Sequence, residues 1–155
     1  MDTTWIVSAD EGRARIFSES NPSEAWQEVD DMVNSAARMT AAEQYTDRLD
    51  TKAAGKSIHN TGGALPNSQY EPQQTPDERA AESFARDICA FLLQAQQAGR
   101  FQKLALVAAP KFLGELRKHL GPQLQPLVTL EINKDYSHSS GQQLRDQIRV
   151  HNAKQ

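Results

Sequence analysis

The stretch from Leu104 to Pro122, LALVAAPKFLGELRKHLGP, constrains the fold more than any other part of the chain. It opens with six apolar residues in a row, without polar alternation, which is typical of a strand buried on both faces of a parallel sheet. Pro110 suits the first position of a helix, because a missing N–H loses no hydrogen bond there. Gly121 and Pro122 are typical of a helix end. The stretch therefore predicts a buried strand that leads directly into a helix.

The predicted helix is amphipathic but lacks a side-chain N-cap. Phe112 and Leu116 recur at helical spacing, so one face is apolar. Ala109, at the cap position, offers no side-chain oxygen to the first amides of the helix. These amides therefore need water, a neighbouring loop or a ligand, and with Lys111 beside them we expect a place for an anion.

Composition bounds the class of protein. A chain of 155 residues is expected to form one domain, and a formal net charge of −3 argues against a general nucleic-acid binder. The single cysteine, Cys89, rules out an internal disulfide framework and a four-cysteine zinc site, and we predict that it is a small buried hydrophobe. Because we find neither a secretory signal nor a run of ~20 apolar residues, we expect a cytoplasmic protein with no membrane span.

Three strands are predicted before any helix. Thr4–Ala9 and Ala14–Glu19 flank a turn at Gly12 and should form a hairpin. Trp26–Val33 is a more polar third strand, and its carboxylates suit an exposed edge, where charge discourages pairing with another chain. Residues 34–75 then form a long polar loop, which in a compact domain is either functional or without fixed structure.

The second half alternates helices and strands. Thr75 and Glu78, with Pro76 between them, form a capping box that starts a long helix. After the strand and helix predicted from Leu104–Pro122, the stretch Leu127–Ile132 predicts another strand, and Ser140 offers the cap of a last helix.

This order of elements, β-β-β, loop, α-β-α-β-α, predicts an α/β fold. Strand–helix–strand units need right-handed parallel crossovers, so the economical five-stranded mixed sheet has the order 3-2-1-4-5. Its strands 1, 4 and 5 are then parallel, which is a ribonuclease-H-like arrangement.

Several segments together resemble a known bacterial family. They are TWIVSADEGRARIFSE, TDR, ERAAESFARDICAFL, LALVAAPKFLGELRKHL and EINKDYS. Over nearly the whole chain they resemble the proteins required for attachment to host cells, and AAPKFLGELR is the most specific segment. The family commonly has Pro-Gly-Arg after the Asp-Arg pair, here Asp47 and Arg48, where this chain has Leu49, Asp50 and Thr51.

That family in turn resembles the central domain of archaeal and eukaryotic translation termination factors. Those factors carry a Gly-Gly-Gln tip that promotes peptidyl-tRNA hydrolysis, on a loop before a long helix. This chain has Gly62 and Gly63 in the corresponding place, but Ala64 follows instead of glutamine. The resemblance therefore does not imply the release reaction, and Asp47, Arg48, Gly62 and Gly63 remain candidate binding residues of the loop.

One site is predicted from the topology. In open α/β sheets, ligands bind beyond the carboxyl ends of the parallel strands, near the topological switch point. The candidate binding residues that this edge would gather are Asp10, Glu11, Arg13, Lys111, Lys134, Asp135 and His138.

Three functions are compatible with these features. We favour a non-enzymatic intracellular binding or adaptor protein that affects attachment indirectly, with neither a cofactor nor a metal. The alternative is a ribosome- or tRNA-associated factor whose phosphate contacts would come from Lys103, Lys111, Arg117, Lys118 and Lys134. The third is a metal-dependent hydrolase built on Asp10 and Asp135, for which further acids on buried elements are missing.

Overall fold

The computed structural model describes residues 2–35 and 74–153. The strands within these ranges are β1 (Thr4–Ala9), β2 (Arg13–Glu19), β3 (Gln27–Val33), β4 (Lys103–Ala108) and β5 (Val128–Ile132). The helices are α1 (Pro76–Gln97), α2 (Pro110–His119) and α3 (Gly141–Ala153), with a short 3-10 turn at Gln125–Leu127. The loop residues Asp47, Arg48, Gly62 and Gly63 lie outside the described ranges.

The five strands form one sheet in the order β3-β2-β1-β4-β5. β1 pairs with β2 antiparallel and with β4 parallel, so that Trp5 lies opposite Leu104, and β5 continues the parallel part beside β4. The predicted α/β class, the strand order and the parallel arrangement of strands 1, 4 and 5 are all confirmed. The ribonuclease-H-like assignment stays a prediction.

α1 and α2 cover one face of the sheet and enclose the larger core. Phe84, Ile88 and Leu92 of α1 are buried against this face together with Leu116 of α2. The predicted capping box is present, since the Thr75 hydroxyl accepts a hydrogen bond from the Glu78 amide at 3.1 Å. The cap fixes where α1 begins, and with it the position of the first turn at the edge of the sheet.

Cys89 lies in this core, as predicted. It is a free, buried thiol 3.7 Å from the Leu116 carbonyl oxygen. Burial raises the pKa of Cys89 to about 12, so the side chain stays protonated and behaves as a small apolar group.

Of the helices in the described ranges, α3 covers the other face, over a smaller core. Ile6, Val107 and Ile132 of the sheet pack there with Leu144 of α3. The first residue of the helix, Gly141, approaches the sheet so closely that a Cβ atom on it would lie 3.1 Å from Cε1 of Phe17. Among residues 2–35 and 74–153, a cleft lies beside this helix, lined by Ile6, Ala105 and Leu130 of the sheet.

Within the described ranges, no helix combines the length and the apolar character needed to cross a bilayer.

Candidate functional site

Asp10 builds the turn that follows β1. Its Oδ1 accepts hydrogen bonds from the amides of Gly12 and Arg13, both at 2.8 Å. The Asp10 amide in turn donates to the Arg13 carbonyl oxygen at 2.8 Å. One carboxylate oxygen of Asp10 is therefore committed to the backbone, and the other points toward the loop that follows β5.

Ser137 links Asp10 to Asp135 beyond the carboxyl ends of the parallel strands. Its hydroxyl lies 2.8 Å from Oδ2 of Asp10 and 2.5 Å from Oδ1 of Asp135, and the residue is 1% exposed. Because a hydroxyl has one proton to donate, the two carboxylates share it. Sequence reasoning missed Ser137 as a site residue, although the Asp-Tyr-Ser spacing is typical of the turn in which its amide also bonds Asp135 Oδ1, here at 3.0 Å.

His138 completes a group of three possible metal ligands. Its Nε2 lies 3.9 Å from Oδ2 of Asp10, and its side chain is 84% exposed. One ligand atom each from Asp10, Asp135 and His138 lie within 4.8 Å of one another. Burial by itself raises the pKa of Asp135, but the two hydrogen bonds from Ser137 and the nearby His138 lower that pKa overall. The charged form of Asp135 is thus already stabilised by protein groups.

Arg13 and Lys134 do not join the Asp10–Ser137–Asp135 group in the same way. Arg13 forms a double ion pair with Asp31 of β3, at 2.8 Å from Nε and 2.5 Å from Nη2, and this contact lowers the pKa of Asp31. Lys134 is exposed and has no ion pair within residues 2–35 and 74–153. Arg13 therefore ties the edge strand β3 to β2, and Lys134 is an exposed charge next to Asp135 in the chain.

Glu11 and Lys111 line a separate acidic cleft next to this group. The cleft has a volume of about 250 Å³ and lies between the β1–β2 turn and the first turns of α1 and α2. Its charged lining residues are Glu11, Asp77, Glu78, Glu115 and Lys111. Four carboxylates thus face one ammonium group, and the cleft favours a cation.

The first turn of α2 has no side-chain cap, as predicted from Ala109. The expected anion beside Lys111 stays a prediction, and the cleft that Lys111 lines also contains four carboxylates. Sequence reasoning assigned Glu78 to the capping box and did not place Glu115 at this edge. The first turns of α1 and α2 come together with Glu11 only through tertiary packing. Local sequence patterns therefore could not predict this cleft.

The five basic residues proposed for phosphate contacts do not form one compact surface. Arg117 holds Glu131 with two bonds of 2.9 and 3.0 Å, and Lys118 lies 3.2 Å from Glu115. Lys103 is the first residue of β4, whereas Lys111 follows the carboxyl end of the same strand. The two residues therefore lie at opposite ends of β4.

The chain was compared with models of known protein families. The family model described as "Protein required for attachment to host cells" matches residues 5–148. A search of curated proteins finds no match. The family match spans every strand of the sheet as well as α1 and α2, and it includes both the acidic cleft and the Asp10–Ser137–Asp135 group. The chain therefore belongs to the family of proteins required for attachment to host cells.

Proposed function

We propose that this chain is a non-enzymatic adaptor of the host-attachment family, which binds a protein partner by holding one of its lysine or arginine side chains in the acidic cleft. The observation that carries this proposal is the set of carboxylates contributed by Glu11, Asp77, Glu78 and Glu115. They come from three separate elements of the fold, and a cationic group entering between them would neutralise several at once. In this proposal the protein acts in the cytoplasm and affects attachment indirectly.

The size of the cleft supports a side chain as its occupant. Its volume of about 250 Å³ is below the ~300–1,000 Å³ typical of pockets for drug-sized ligands. Glu11 and Glu115 have no structural bond that a partner must break, apart from the exposed contact of Glu115 with Lys118. A partner's cation can therefore approach Glu11 directly, and it can bind Glu115 by replacing Lys118 at Oε1.

The neighbouring group supports binding over catalysis. Ser137 is the hydroxyl nearest to Asp10 and Asp135, but it is 1% exposed and both its neighbours are carboxylates. A buried hydroxyl has no access to a substrate, and Asp10 Oδ1 is occupied by two backbone amides. These contacts make a rigid edge beside the cleft, which suits recognition.

The test compares the captured partners of matched variants. We expect affinity capture from lysate with quantitative mass spectrometry to show a partner whose recovery falls at least ~10-fold in the Glu11→Gln/Glu115→Gln double variant. Glu24→Gln is the control, because Glu24 is exposed in the β2–β3 connection at the other edge of the sheet. Equal recovery by all three proteins, with equal thermal stability, would contradict the proposal. Deletion of residues 46–70 tests separately whether the loop contributes.

The ribosome- or tRNA-associated alternative stays a prediction from resemblance. It requires that the protein sediment with ribosomes in a sucrose gradient at low salt and dissociate as salt rises. A protein that remains at the top of the gradient at low salt would end this alternative.

A further inference from the structure

A second cleft lies at the amino ends of the parallel strands, beside the carboxyl half of α3. Its volume is about 480 Å³, within the range of pockets that hold small organic molecules. The apolar part of its lining includes Ile6, Ala105, Leu130, Ile148 and Trp26. Trp26 is held in place, since its Nε1 donates to Glu19 at 2.7 Å and its ring packs 5.8 Å from that of Phe17. The cleft thus has a fixed apolar floor and a fixed aromatic wall.

Arg145 lines this cleft as a buried cation without a carboxylate partner. The residue is 8% exposed, and its Nη2 donates to the backbone carbonyl of Pro22. Its Nε is sealed from solvent and makes no hydrogen bond, and within residues 2–35 and 74–153 no acidic side chain forms an ion pair with it. A buried charge is costly unless it is paired, so the bonding of Arg145 is incomplete.

Two further cations line the same cleft. Arg149 lies one helical turn after Arg145 and also donates to the Pro22 carbonyl, at 3.3 Å. Lys103 enters from the start of β4, and Glu19 is the one acidic residue of the lining. Since the Glu19 carboxylate is engaged by Trp26, three cations face a single carboxylate that is already bonded.

We propose that this cleft binds a small organic anion, a carboxylate or phosphate ester with a hydrocarbon body. The anionic group pairs with Arg149 and with Nη1 of Arg145, the guanidinium nitrogen that is neither sealed from solvent nor bonded to Pro22. Guanidinium groups match the geometry of both anions. The hydrocarbon body lies on Ile6, Ala105 and Ile148, against Trp26. The site is independent of the adaptor function proposed above, because it lies at the amino ends of the parallel strands and shares no residue with the acidic cleft.

The first test uses the unmodified full chain. Octanoate, octyl phosphate, octanamide and inorganic phosphate are titrated separately into ¹⁵N-labelled protein, with the Trp26 indole as an additional reporter. We expect octanoate or octyl phosphate to shift the signals of Ile6, Ala105, Ile148 and Trp26, and to bind at least ~10-fold more tightly than neutral octanamide. The tighter of the two anions identifies whether the natural ligand is a carboxylate or a phosphate.

Three outcomes would overturn the proposal. They are the absence of shifts at millimolar concentrations of both anions, equal binding of octanamide, and shifts confined to other surfaces. Inorganic phosphate that binds as tightly as octyl phosphate would also overturn it, because the apolar lining would then contribute nothing.

The second test uses variants of the cations. Arg145→Gln and Arg149→Gln should each weaken binding of the preferred anion by ~10-fold or more. Arg79→Gln, on the exposed surface of α1, should leave it unchanged. If Arg145→Gln does not fold, Arg149→Gln and the comparison of octanoate with octanamide still decide the question.

Discussion

The Ser137 hydroxyl lies 2.8 Å from Oδ2 of Asp10, although 127 residues separate the two side chains. This bond connects the loop after β5 to the turn after β1. It therefore links the segments that follow the two outer strands of the parallel part of the sheet, which flank β4. The edge at which the adaptor function is proposed is therefore held together by side chains as well as by strand pairing.

Replacing Ser137 should loosen this edge. Ser137→Ala leaves two neighbouring carboxylates without their shared donor, and we expect a loss of about 1–3 kcal/mol in the free energy of unfolding. Urea denaturation measures the change. Ser139→Ala is the matched control in the same loop, because no hydrogen bond of its hydroxyl occurs within the described residues, and it should change stability by less than about 0.5 kcal/mol. Equal effects of the two substitutions would contradict the assigned bond.

The Asp135 carboxylate should make stability depend on acid pH. Burial alone would raise its pKa, but the Ser137 bonds and His138 lower it below the ordinary 3.8. A carboxyl whose pKa is lower in the folded than in the unfolded state stabilises the fold above its ordinary pKa. This contribution is lost as the pH falls below 3.8 and through the lowered pKa. A ¹³C titration of the carboxyl should show a midpoint below 3.8 in the native protein and a higher one in Ser137→Ala.

Divalent metal ions should not bind at the Asp10–Asp135–His138 group. The three ligand atoms lie within 4.8 Å of one another. However, Asp10 Oδ1 already accepts hydrogen bonds from two amides, and the Ser137 hydroxyl lies between Asp10 Oδ2 and Asp135 Oδ1. Titration with Mg²⁺ or Mn²⁺ should therefore leave the Asp10 and Asp135 amide signals unchanged, apart from weak effects at exposed acids. Saturable changes at both residues would revive the hydrolase hypothesis.

The core between the sheet and α1 should carry much of the stability. Leu106 is fully buried in β4, and Leu106→Ala should cost about 2–5 kcal/mol through lost burial and the cavity left behind. Val150→Ala, at a site that is 51% exposed on α3, should change the free energy of unfolding by less than about 0.5 kcal/mol. Thermal and urea unfolding of both variants measure the difference.

Supplying the missing cap of α2 should stabilise the protein. Ala109 has the extended backbone of a cap residue, with φ −56° and ψ 149°, but no side-chain bond to the helix. Ala109→Ser offers an acceptor to the first amides, and we expect a gain of about 0.5–1 kcal/mol. An unchanged or lower stability would indicate that these amides already have another partner.

The sequence predicted the architecture well because its strongest signals are local. The apolar run at the start of the organising stretch, the capping box at Thr75 and the hairpin turn at Gly12 each specify one element, and the handedness of crossovers then leaves few arrangements of the strands. Some predicted element boundaries differ from the observed ones because a residue belongs to the adjacent element. Leu127, predicted as the first residue of a strand, belongs to the 3-10 turn before β5.

The surfaces were less predictable, because they arise where distant segments meet. The topology gathered Asp10, Asp135 and His138 as expected, but it did not reveal that buried Ser137 links the two carboxylates. Likewise, the sequence pattern places Arg145 among the ordinary polar residues of an amphipathic helix. Its incomplete bonding becomes visible only when the sheet, the Pro22 carbonyl and α3 are placed together.

The tight seat of Gly141 against Phe17 has an evolutionary consequence. A Cβ atom at position 141 would lie 3.1 Å from the Phe17 ring, so the ring or the start of α3 would have to shift by a few tenths of an ångström. We therefore expect positions 141 and 17 to co-vary among members of the family, with a larger residue at the first tolerated only beside a smaller one at the second.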